Sequence, residues 1–78
     1  MENLEKYINA FTSTFGIDRA EVEGLKYQGI QAWDSVGHMG LIAAIEDAFG
    51  IMFEADDIID FSSFEKGREI LKKYNVEV

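Results

Sequence analysis

Seventy-eight residues, 47% of them hydrophobic, suffice for one small domain around one core, with a net stability of about a few kcal/mol. With no cysteine and a single histidine, His38, the chain excludes a disulfide scaffold, a thiolate nucleophile and a Cys/His zinc centre, and a Ser-His-Asp triad would have to rest on His38 alone. A net charge of −8, from fifteen acids and seven bases, sets the surface against phosphate backbones and anionic lipids, so neither nucleic acid nor membrane is an expected partner.

Met1-Glu2-Asn3-Leu4-Glu5 carries no basic leader and no apolar signal core, which leads to the expectation of a cytoplasmic protein. Leu4, Ile8, Phe11 and Phe15 recur at helical spacing, predicting a first helix that stops near Gly16. Residues 17–33 form a long connection, punctuated by Gly24 and Gly29, with Val22, Leu25 and Ile30 able to pin it to the core. Trp33 precedes a helix start rather than lying on an apolar stripe, and is read as a staple or a plug over the loop. A second helix is expected from Asp34 or Ser35, with Leu41, Ile45 and Phe49 on one face, Ile42 and Ala48 flanking them, and Gly50 ending the run.

Ile51, Met52 and Phe53 lead to a short acidic helix around Asp56 to Asp60. Ser62 with Glu65 matches a capping box opening a last helix, whose stripe is Phe64, Gly67, Ile70, Leu71 and Tyr74. Lys72 and Lys73 fall at its end, where the helix dipole favours cations. The pattern predicts an all-α four-helix bundle: three longer helices, one short one, a long first loop, and a single domain over residues 1–78. A monomer is expected.

Charge is unevenly distributed. From residue 28 to 65 there are eight acids and no Lys or Arg. A solvated acidic face explains this, and so does a docking face for basic partners, since complementary charge steers encounter. One histidine with scattered carboxylates offers no converging constellation for catalysis, so no catalytic and no metal-ligating residue is assigned.

Ser35 is the residue where chemistry enters. A serine at a helix start ordinarily serves as N-cap. If Asp34 takes that role instead, the Ser35 hydroxyl is left free on the first turn, at the positive end of the helix dipole, where an attached anionic group is favoured.

The run Trp33-Asp34-Ser35-Val36-Gly37-His38-Met39-Gly40-Leu41-Ile42-Ala43-Ala44-Ile45-Glu46-Asp47-Ala48-Phe49-Gly50-Ile51 resembles the signature of the acyl carrier protein family, in which Asp-Ser-Leu opens the second helix. Phe53-Glu54-Ala55-Asp56-Asp57-Ile58 and Ser62-Ser63-Phe64 are similar to that family's third helix and the approach to its fourth. The resemblance implies that Ser35 receives 4′-phosphopantetheine from coenzyme A through a separate magnesium-dependent phosphopantetheinyl transferase, with Asp34 helping to hold the transferase's metal. It implies a non-catalytic carrier of an acyl or aminoacyl thioester, charged by a loading ligase or synthase and used by downstream transferases. Val36, Met39, Glu46, Asp47, Asp56 and Asp57 are then assigned to partner contacts. The absence of cysteine fits, because the thiol comes with the arm.

Three positions depart from the family pattern. Val36 stands for the usual leucine. Gly37 and Gly40 replace acids two and five positions beyond the serine, each costing a helix about 0.5–1 kcal/mol relative to alanine. Close approach of the first loop explains them, and so does room for the arm or a partner helix. His38 is expected to be exposed, with a contact to the phosphate as the sharper alternative. Trp33 is reminiscent of carriers of specialised rather than fatty-acid pathways. The alternative from another class is an acidic helical interaction module with no prosthetic group.

Overall fold

A computed structural model describes residues 2–78. Four helices follow in chain order: α1 (Glu2–Phe15), α2 (Ser35–Phe49), α3 (Ala55–Asp60) and α4 (Phe64–Lys72), with one 3-10 turn at Arg19–Glu21 inside the long first connection. No strand occurs among the described residues. The all-helical expectation holds, with helices of 14, 15, 6 and 9 residues. No helix is long and apolar enough to cross a membrane among the described residues.

Local chemistry accounts for the ends of α1 and α2. Gly16 and Gly50 both adopt a left-handed φ of 65°, and the Gly50 N–H closes onto the Glu46 carbonyl. Only a residue without Cβ does this at no steric cost. At the start of α2, Asp34 is the N-cap: its carboxylate accepts the Gly37 N–H at 2.8 Å.

The expected Ser62–Glu65 capping box at the last helix does not form, and a simple N-cap one residue later takes its place. Ser63, not Ser62, caps α4, its Oγ accepting the Lys66 N–H at 2.9 Å. The reason is tertiary. Ser63 forms an antiparallel bridge with Lys26, the Ser62 carbonyl accepts the Tyr27 N–H at 2.8 Å, and the Phe64 N–H reaches the Leu25 carbonyl at 2.9 Å. These bonds set where the backbone stops being extended.

The core is aromatic and is centred on α1, whose closest helical neighbour is α2. Tyr7, outside the stripe read from the sequence, is fully buried, while Leu4 is only partly so. Burial pushes the Tyr7 hydroxyl far up from its ordinary range, so it stays protonated and donates to the Phe64 carbonyl at 2.6 Å. Trp33 is also corrected: it is 0% exposed, stacked on Phe15 and edge-on to Phe11. It is a core residue delivered by the loop, not a plug lying over it.

Candidate functional site

α2 begins at Ser35, and the way Asp34 is spent determines what the serine can do. Asp34 uses its carboxylate on the Gly37 amide, so the Ser35 hydroxyl has no capping task. Ser35 is exposed, and its Oγ lies 3.3 Å from the Tyr27 hydroxyl. As the first two residues of the helix, Ser35 and Val36 have amides without an intrahelical partner, so the partial positive charge of the terminus is available there.

Beside Ser35 lies a groove of about 420 Å³ lined by Tyr27, Ser35, His38, Met39, Ile58, Ile59, Phe61 and Ser62. Its walls are mainly apolar, with the Tyr27, Ser35 and Ser62 hydroxyls among the lining groups. Val36 and Ile59 are 83% and 77% exposed, and Met39 and Met52 are also exposed. An open apolar surface next to an uncommitted hydroxyl at a helix start suits an anionic group joined to a less polar tail.

His38 is corrected from an exposed helix position to a half-buried strut. Its Nδ1 accepts the Trp33 indole N–H at 2.9 Å. That leaves Nε2–H to donate to the Ile58 carbonyl at 2.7 Å, so the hydrogen-bond network sets the tautomer. Both ring nitrogens are occupied, and neither is free for a phosphate. The imidazole links Trp33, α2 and α3 behind the groove.

Gly37 and Gly40 separate into two cases. A Cβ on Gly37 would collide with the Ala32 carbonyl oxygen, while one on Gly40 would meet nothing closer than Thr14 Cγ2 at 3.6 Å. Loop approach therefore explains Gly37, through the backbone of Ala32. Opposite signs are expected: Gly37→Ala destabilises by about 1–3 kcal/mol through overpacking, and Gly40→Ala stabilises by about 0.5–1 kcal/mol. Urea titration of both variants with unchanged m-values checks the pair.

The acids assigned to partner contacts do not form one face. Asp57 is 3% exposed, bound by the Lys73 ammonium and the Tyr74 hydroxyl, each at 2.5 Å. Tyr74 in turn accepts the Glu54 N–H at 3.0 Å, so this cluster ties the start of α3 to the end of α4. Asp57 belongs to the packing and leaves the docking set. Glu46 is half-buried, and its Oε2 accepts the Phe53 N–H at 2.9 Å. Asp47 is exposed but lines a different groove, between α1 and α2, with Lys6 and Ser13. Asp56 and Asp60 stay exposed on α3, as does Glu54 just before it. A charge count could not distinguish these, because burial and pairing arise only after folding.

The Lys73 hydrogen bond, with that of Tyr74, holds the Asp57 carboxyl below its ordinary pKa of 3.8. A depressed folded pKa contributes stability that is present above the unfolded value and is lost as pH falls through the folded one. Wild type should therefore lose stability on acidification below about pH 4, and Asp57→Asn should flatten that part of the curve while being less stable at neutral pH. Thermal melts of both proteins between pH 2 and 7 read the difference.

Asp34, Ser35, Val36 and Met39, singled out from the sequence as site residues, lie together at the start of α2, whereas the groove residues Tyr27, Ile58, Ile59, Phe61 and Ser62 were not singled out. The Ile58-Ile59 pair between acids was a usable signal, since adjacent helix residues cannot both face inward. Tyr27 had none, because the connection has no periodicity. No protein-family model, no curated protein and no solved structure matches the chain.

Proposed function

We propose that this chain is a cytoplasmic carrier protein of the acyl carrier type, modified on Ser35 with 4′-phosphopantetheine. One observation carries the reading: Asp34 caps α2, leaving an exposed Ser35 hydroxyl at the helix start beside an apolar groove. The resemblance of residues 33–51 to the acyl carrier signature supports the same position. The residues present fit the group, with a nucleophilic oxygen accessible to a second enzyme, unpaired amides near an anion, and an apolar wall for a flexible chain.

Loading exchanges a phosphoanhydride bond for a phosphoester bond. The Ser35 oxygen bonds to the phosphorus bearing pantetheine, the pyrophosphate bond of coenzyme A breaks, and adenosine 3′,5′-bisphosphate leaves. The serine proton passes to the transferase. When attached, the arm supplies the thiol that carries an acyl or aminoacyl group as a thioester. The chain itself presents that cargo and catalyses nothing, and tethering raises the cargo's effective concentration at each partner's active site. Exposed Val36, Met39 and Ile59, with Asp56 nearby in sequence on α3, supply apolar and acidic contacts for the transferase, a loading ligase or synthase, and later transferases. Glycines in place of two family acids, together with Trp33, favour a specialised pathway over fatty-acid synthesis.

The same exposed apolar residues beside acids favour one second reading, an interaction module with no prosthetic group. Intact-mass and fragmentation measurements after incubation with coenzyme A, magnesium and a broad-specificity transferase decide between them. The carrier gains one phosphopantetheine on Ser35, and Ser35→Ala gains nothing. Modification on Ser62 or Ser63 overturns the Ser35 assignment, and no modification at all leaves the interaction module.

A further inference from the structure

We propose that Tyr27 is a positioning residue for the phosphodiester on Ser35, its hydroxyl donating to a phosphate oxygen and drawing the arm to the groove side of α2; this rests on the carrier reading above. The Tyr27 hydroxyl sits 3.3 Å from Ser35 Oγ, longer than the usual 2.7–2.8 Å between hydroxyls. The bond is weak, and Tyr27 Oη has no other partner among the described residues. An anionic oxygen joined to Oγ through phosphorus is a far better acceptor, because charge-assisted hydrogen bonds are about twice as strong as neutral ones.

The hydroxyl is held in place before any ligand arrives. Tyr27 N–H is bonded to the Ser62 carbonyl at 2.8 Å, next to the Lys26–Ser63 bridge. Its ring stands edge-on to His38 at 5.6 Å and to Trp33 at 6.3 Å. That platform joins the first loop, the start of α4 and the His38 strut, so little ordering remains for the donor when the anion appears. No Lys, Arg or other cation lines the groove, which leaves neutral hydroxyls as the side-chain donors, and of these the Tyr27 hydroxyl is the one 3.3 Å from Ser35 Oγ. Since Tyr27 is one wall of the groove, a phosphate bonded to it is directed over Met39 and Ile59 and away from Val36.

The full chain loaded on Ser35, with loading verified by mass, provides the test. The ³¹P resonance of the phosphodiester is compared in wild type and Tyr27→Phe, each folded and in urea. In folded wild type it should be displaced from the unfolded position, and in Tyr27→Phe most of that displacement should disappear. The Trp33 indole N–H resonance, read in the same samples, reports whether the platform survives the change. With ¹³Cζ-labelled tyrosine, the Tyr27 signal should move on loading while Tyr7 and Tyr74 stay, a readout that needs no variant. A Tyr27 signal unmoved by loading, or a folded Tyr27→Phe with the wild-type ³¹P position, overturns the inference and leaves the carrier intact. An unmodified Ser35 overturns both.

Discussion

Trp33→Ala is expected to abolish the cooperative unfolding transition at 37 °C. The indole is 0% exposed and packs on Phe11, Phe15 and Phe61. Truncating a buried Trp typically costs about 3–5 kcal/mol, which matches the whole net stability of about a few kcal/mol open to a chain of this length. The loss goes beyond volume. His38 Nδ1 would lose its donor, loosening the strut that joins α2 to the Ile58 carbonyl of α3. Trp33→Phe separates the two contributions, because it keeps a ring and removes the N–H. A loss of about 1–3 kcal/mol is expected for the orphaned acceptor together with the smaller ring. Near-ultraviolet circular dichroism with thermal melts measures both variants. A Trp33→Ala protein with a wild-type melting temperature would show that the indole is not what fills the space between α1 and α2.

Gly67→Ala should be strongly destabilising for the addition of a single methyl group. A Cβ there would run into the Tyr7 hydroxyl and the Phe61 ring, both fully or almost fully buried. Relief requires moving Tyr7, whose hydroxyl is bonded to the Phe64 carbonyl at 2.6 Å. Overpacking and a broken buried hydrogen bond together cost about 3 kcal/mol, a fall of more than about 10 °C in melting temperature for a domain of this size. Tyr7→Phe removes one of the two colliding groups. The double variant should therefore lose less than the sum of the single losses, with a coupling of about 0.5–3 kcal/mol. Strict additivity would mean that α4 shifts as a whole to admit the methyl group. Helix propensity alone predicts the opposite sign for Gly67→Ala, since alanine is the better helix former.

That contrast marks what can be read from a chain before it folds. The spacing of Leu4, Ile8, Phe11 and Phe15, the glycines at 16 and 50, and Asp34 before Ser35 are local statements. Each is satisfied within one turn of backbone, so α1, α2 and the free Ser35 hydroxyl were legible. Ser62 and Ser63 show where local rules lose resolution. Both carry a capping hydroxyl, and what selects Ser63 is pairing with Lys26, far back in the chain. Gly37 and Gly40 look alike in sequence, and Gly67 belongs to an apolar stripe. Only the path of residues 17–33 and the stacking of α4 on α1 show which of them faces another group.

For the candidate site, sequence alone pointed to one hydroxyl: a serine relieved of capping by a neighbouring aspartate at a helix start, in an acidic chain with no thiol of its own. The groove beside it, the Tyr27 hydroxyl, the occupied nitrogens of His38 and the withdrawal of Asp57 from the acidic surface were decided by tertiary structure. The hydrogen bonds involved join residues five to twenty positions apart. Periodicity records which residues turn inward, whereas hydrogen-bond partners and collisions depend on which surfaces the loops bring together.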